Sequence, residues 1–151
     1  MLCYGSWDTL CTVSRRAELV FVYGTLRRGQ ALHGELLKTG AEYLDAGKIH
    51  GRLYDLGDYP GAVPSHTENE EILGELYRLD EPSQQLCSLD AIEEYDPERP
   101  DRSLFVRRPA EVWMMNGKRV RAWVYFLPDE PEGARAIVGG DYARRRGSEA
   151  G

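Results

Sequence analysis

Leu19, Val20, Phe21, Val22 and Tyr23 form a short apolar run closed by Gly24, the pattern of a buried strand. Downstream, 30–38 predicts a short helix, with Gly40 in its C-cap region. Segments 42–46 and 48–56 read as two strands joined around Gly47, followed by the turn-rich Gly57-Asp-Tyr-Pro-Gly61. Over 71–79 the alternation assigns two faces: Leu73, Glu75, Tyr77 and Leu79 on one, Ile72, Gly74, Leu76 and Arg78 on the other. Segments 104–115 and 118–127 predict a hairpin around Asn116-Gly117, a strong short turn signal. One clear helix spans 82–95, with Pro82 in its first turn and Asp80 or Glu81 at its positive end. Many short strands with few helices predict an α+β fold, a small mixed β-barrel flanked by a few helices.

Length and composition narrow this further. At 151 residues, 42% of them hydrophobic and 29% charged, the chain suits one globular domain. The expected organisation is a domain over 18–142, preceded by a flexible tail (1–17) and followed by a flexible basic tail (143–151). Nineteen Lys and Arg against 25 Asp and Glu leave a net charge of −6, which argues against nucleic acid as a partner. Apolar runs stop well short of the ~20 residues of a membrane helix, and 1–17 has no h-region of a secretory signal. Cys3, Cys11 and Cys87 make neither a disulfide framework nor a C-x-x-C pair, so a cytoplasmic location is expected.

Candidate chemistry begins on the long helix. At about 100° per residue, Leu86, Leu89 and Ile92 share one side, and Glu93, seven residues after Leu86, projects from that side. Its neighbour Glu94 points away, toward solvent. A carboxylate aimed at a core costs several kcal/mol unless it is paired, and its pKa rises toward the range useful to a general base or acid. The alternative places Glu93 at the edge of the stripe, reaching water or pairing with an arginine. Glu75, between Leu73 and Tyr77, poses the same choice, with a buried ion pair the simpler reading; the two carboxylates could also share one pocket.

Tyr23-Gly-Thr-Leu-Arg-Arg-Gly29 follows the first strand and precedes a helix. Such a loop offers free backbone N–H groups to an anion, or is an ordinary strand-to-helix turn. Gly24 and Gly29 fit half of a P-loop, but Gln30 and Ala31 stand where its Lys and Ser or Thr belong, which disfavours nucleotide hydrolysis. His33, His50 and His66 lack ligand spacing, so no metal is expected. Tyr23, Tyr54, Tyr77 and Tyr125 lie in strand-like runs, as core aromatics first and as phenol donors second.

Leu19-Val-Phe-Val-Tyr-Gly-Thr-Leu-Arg-Arg-Gly-Gln30 resembles the opening of the γ-glutamylcyclotransferase-like (AIG2-like) proteins, most nearly the γ-glutamylamine cyclotransferase branch. The resemblance continues through Gly74-Glu-Leu-Tyr77, Leu89-Asp-Ala-Ile-Glu-Glu-Tyr95, Phe105-Val-Arg107, Ala122-Trp-Val-Tyr125 and Gly140-Asp-Tyr142. It implies a compact barrel with a pocket over the Y-G-T-L loop and a cofactor-independent cyclisation of a γ-glutamyl amine or amino acid to 5-oxoproline. By the same resemblance Glu93 is the catalytic carboxylate, Tyr23, Gly24, Thr25 and Leu26 hold substrate mainly through backbone N–H groups, and Tyr125 lines the cavity. A small-molecule substrate and a monomer or weak dimer are expected, without nucleic acid, membrane or metal.

Three positions depart from the family pattern. Glu94 stands where many members have Gly, Phe105 where a Tyr is common, and His33 near an Asn of some relatives. The same fold also admits a non-catalytic module binding a small anion, or a tailoring cyclotransferase that strips a γ-glutamyl protecting group from a larger amine. Retention of Glu93 favours an enzyme.

Overall fold

The structure, a computed structural model, describes residues 18–65 and 69–142. The expected tails and His66 lie outside the described residues. Among the described residues, seven strands form in chain order: β1 (Glu18–Val22), β2 (Glu42–Asp55), β3 (Pro60–Pro64), β4 (Glu71–Leu79), β5 (Val106–Met114), β6 (Arg119–Phe126) and β7 (Arg135–Ala136). Helix α1 is His33–Lys38, helix α2 is Pro82–Ile92, and a 3-10 turn spans Pro100–Arg102.

Five strands close on themselves in the order β2-β4-β1-β6-β5, with β5 returning to β2 through Gly47↔Met114 and Lys48↔Trp113. Pairing is antiparallel except between β1 and β6, which run parallel at Val20↔Trp123. The far half of β2 leaves the barrel and carries β3 on one side and β7 on the other. The expected mixed barrel with few helices is thereby the fold observed.

Strand alternation separates two cores. Phe21, Ile49, Ile72, Leu76, Val112 and Val124, drawn from all five strands, fill the barrel. Val20, Val22, Tyr77, Leu79 and Tyr125 face outward and pack under Leu36 of α1 and Leu86 and Leu89 of α2. On β4 both expected faces appear: Ile72 and Leu76 inside, Tyr77 and Leu79 toward the helices.

Two expectations are corrected here. Gly47 does not separate two strands; β2 is continuous for 14 residues. A Cβ at Gly47 would lie 3.0 Å from the Trp113 carbonyl oxygen, and one at its partner Gly74 would collide with the Val22 carbonyl oxygen. These glycines mark where barrel strands approach closely, a role easily mistaken for a turn. Downstream, part of the stretch read as turn-rich is strand, since β3 begins at Pro60.

Candidate active site

Helix α2 ends earlier than its apolar stripe predicts. The Glu93 N–H donates to the Leu89 carbonyl at 2.9 Å, which makes Glu93 the C-cap residue. Beyond it the Glu94 N–H reaches the Ala91 carbonyl at 3.3 Å and the Tyr95 N–H reaches the Asp90 carbonyl at 2.8 Å. That bond pair is a Schellman motif, whose turning residue is left-handed. Here the turning residue is Glu94, at φ 56°, the sole non-glycine residue with positive φ among the described residues.

Glu93, the loop after β1 and the side of β6 enclose a cavity of about 280 Å³. All six residues expected at the site line it: Glu93, Tyr23, Gly24, Thr25, Leu26 and Tyr125. Phe105, Tyr59, Pro60 and Leu104 complete much of the apolar wall. Glu94 also lines the cavity, at its exposed edge, which corrects the expectation that it points away. The left-handed turn carries it off the helical path from which that direction was projected.

Glu93 is half-buried, and its carboxyl accepts no hydrogen bond from any described residue. Burial pushes its pKa up from 4.5 to about 7, and the neighbouring Glu94 charge adds to the rise. A carboxyl with such a pKa exchanges a proton readily near neutrality.

The loop is held from beneath. The Arg28 N–H donates to Glu75 Oε1 at 3.0 Å, as does the Tyr77 hydroxyl at 3.0 Å. Arg27 pairs with Glu75 at 3.5 Å and with Asp141 at 2.9 Å. Glu75 is therefore the buried ion-pair anchor of the loop, and it does not line the cavity. His33 Nδ1 donates to the Leu26 carbonyl at 2.9 Å, tying α1 to the same loop. Within the loop Arg27 N–H bonds the Gly24 carbonyl and Leu32 N–H bonds the Thr25 carbonyl, at 3.0 and 2.8 Å. The N–H groups of Thr25 and Leu26 find no acceptor among the described residues, so they are available to a ligand. Gly24 leaves room for the opposite wall, because a Cβ there would stand 2.6 Å from Pro60 Cγ.

Tyr23 and Tyr125 are less free than their place in the wall suggests. The Tyr23 hydroxyl donates to the Tyr125 carbonyl at 2.6 Å and accepts from the Ala62 N–H at 3.2 Å. Burial pushes its pKa well up, with a further rise from Glu93, so it stays a neutral phenol. The Tyr125 hydroxyl donates to Asp90 Oδ1 at 2.6 Å, and burial followed by that bond raises its pKa.

Asp90 was not singled out by sequence. Buried on α2, its carboxylate also takes a two-pronged ion pair from Arg107, Nε to Oδ1 at 2.8 Å and Nη2 to Oδ2 at 3.1 Å. Arg107 in turn lies 4.8 Å from the Trp123 ring and 5.7 Å from the Tyr95 ring, over both faces. A signal was present, since Asp90 sits four residues after Leu86 on the buried stripe.

Residues 20–144 match the family model described as gamma-glutamyl cyclotransferase, AIG2-like. A Methanocaldococcus jannaschii protein provisionally named gamma-glutamylcyclotransferase is 33% identical over 133 residues, 86% of this chain and 99% of that one. The Gamma-L-glutamyl-butirosin B gamma-glutamyl cyclotransferase of Niallia circulans is 35% identical over 125 residues, covering 80% and 76% of the two chains. In fold, the chain superposes on the crystal structure of an aig2-like protein from Mus musculus with a TM-score of 0.68, at 24% identity and coverages of 84% and 88%.

Proposed function

Because the chain belongs to the gamma-glutamyl cyclotransferase, AIG2-like family, we propose that it converts a γ-glutamyl amine or γ-glutamyl amino acid to 5-oxoproline, with Glu93 as general base and then acid. The observation that carries this reading is a carboxyl without a hydrogen-bond partner among the described residues, its pKa raised to about 7, lining the same cavity as Thr25 and Leu26 of the loop, whose N–H groups are unbonded.

The chemistry follows from those parts. An ammonium cannot attack, so ionised Glu93 first takes a proton from the substrate's α-ammonium. The freed amine attacks its own γ-carbonyl carbon, forming the ring C–N bond and an oxyanion that the Thr25 and Leu26 N–H groups stabilise. The ring nitrogen, made cationic by the attack, gives up its second proton; as the old C–N bond breaks, Glu93 returns the first proton to the departing nitrogen, which takes up the second as well and leaves as an ammonium. The products are 5-oxoproline and the amine in its protonated form, and the balance requires neither water nor an external reactant. Wall residues such as Leu26, Tyr59 and Phe105 favour a folded substrate, so that proximity supplies much of the acceleration.

The test is incubation with a panel of γ-glutamyl amines, γ-glutamyl amino acids and glutathione, following 5-oxoproline by mass spectrometry. Release from one class supports the reading. Absence of release from every member, with folded protein, favours the non-catalytic binding module. The butirosin-directed relative supports including a conjugate of a large amine, as for a tailoring cyclotransferase.

A further inference from the structure

Among the described residues, the charged side chains that line the cavity are all of one sign: Asp58, Glu93 and Glu94 line it, and no described lysine, arginine or histidine does. Arg27 of the loop is paired with Glu75 and Asp141, and Arg107 of β5 with Asp90. Asp58 and Glu94 pair with no basic side chain among the described residues.

Depth sorts these groups. Tyr23, Gly24, Leu26, Phe105 and Tyr125 are buried, whereas Asp58 and Glu94 are exposed, so the two unpaired carboxylates stand at the mouth. In the same wall, the Tyr59 and Phe105 rings meet edge to face at 6.0 Å, and an aromatic face attracts a cation. Glu94 keeps its place although the turn gives it φ 56°, a conformation that glycine adopts without strain.

The γ-glutamyl head belongs at Glu93 and the loop amides, which leaves the distal part of the departing amine at the mouth. We infer that the preferred leaving group carries a second, distal positive charge, as in a di- or polyamine, and that Asp58 and Glu94 select it. This rests on the cyclotransferase reading above and deepens it. A distal carboxylate, as in γ-glutamyl amino acids, meets two like charges at the same place.

Three γ-glutamyl conjugates of similar length test it: those of 1,4-diaminobutane, pentylamine and 4-aminobutanoate. The expected order of kcat/KM is diaminobutane, then pentylamine, then aminobutanoate. The ends of the series should differ about ten-fold or more at low ionic strength, narrowing as salt is added. The double variant Asp58→Asn/Glu94→Gln should flatten the series to within about two-fold; ratios within one variant cancel any change in Glu93 itself. Equal turnover of the three by the parent protein, or an order that survives the double substitution, overturns the charge selection and leaves the cyclotransferase reading standing. Absence of 5-oxoproline from all three and from the wider panel removes both.

Discussion

Asp90 and Glu93 are carboxylates three residues apart at the end of one helix, and they live in opposite surroundings. Asp90 is closed off by Arg107 at 2.8 and 3.1 Å and by the Tyr125 hydroxyl at 2.6 Å. Glu93 receives no hydrogen bond from the described residues and lines the cavity. Two carboxyl groups in contrasting environments take contrasting roles: the paired one is structural, the unpaired one is free to exchange a proton.

Glu93 should weaken the fold where it is ionised. In the unfolded chain it titrates near 4.5, and in the folded protein at about 7. The folded state therefore binds more protons across that window, and stability falls as pH rises through it. Glu93→Gln should stabilise the protein by about 2–3 kcal/mol at pH 8 and by little at pH 4. Urea denaturation at the two pH values measures this, and an equal effect at both would refute the shifted pKa.

Glu94→Gly should raise stability by ~1 kcal/mol, because it relieves a left-handed residue that has a Cβ. It also removes the negative charge that adds to the rise in the Glu93 pKa, so the acid limb of kcat/KM should move to lower pH. Glu94→Gln should move the limb but not the melting temperature. Identical melting temperatures for Glu94→Gly and Glu94→Gln would mean that the turn stores no strain.

Gly24→Ala tests the wall opposite the loop. Its methyl group would stand 2.6 Å from Pro60 Cγ, so the two sides of the cavity must separate. Overpacking of this kind costs about 1–3 kcal/mol in stability. A displacement near 1 Å should lower kcat/KM by roughly 10- to 100-fold. Calorimetry beside steady-state kinetics separates the two effects; full activity would show that the loop position is unimportant.

Much of this was legible before the structure, and the failures have identifiable causes. Strand β4 has the bounds its alternation predicts, because one face meets the barrel interior and the other meets the helices. Glu93 was found because two buried leucines fix the azimuth of everything within the next turn. Gly47 misled, since a glycine crowded by a neighbouring strand carries the same letter as a glycine in a turn. Strand β7 is only two residues long and owes its existence to its partner β2, so no local pattern announces it. Arg27, Glu75 and Asp141 meet from three distant parts of the chain, a pairing that only the closed barrel brings about. Asp90 escaped notice because a helical carboxylate reads as solvated until its arginine, 17 residues away, is placed beside it.

The most direct test of the central claim is the rate of 5-oxoproline release by the parent protein and by Glu93→Gln, on whichever conjugate the panel identifies. The account predicts a loss of ~100-fold or more in kcat with substrate affinity retained, the usual worth of general acid–base catalysis. In the parent, kcat/KM should rise with pH through about 7 as Glu93 ionises. Turnover by Glu93→Gln within a few-fold of the parent would contradict it and remove this carboxyl from the reaction.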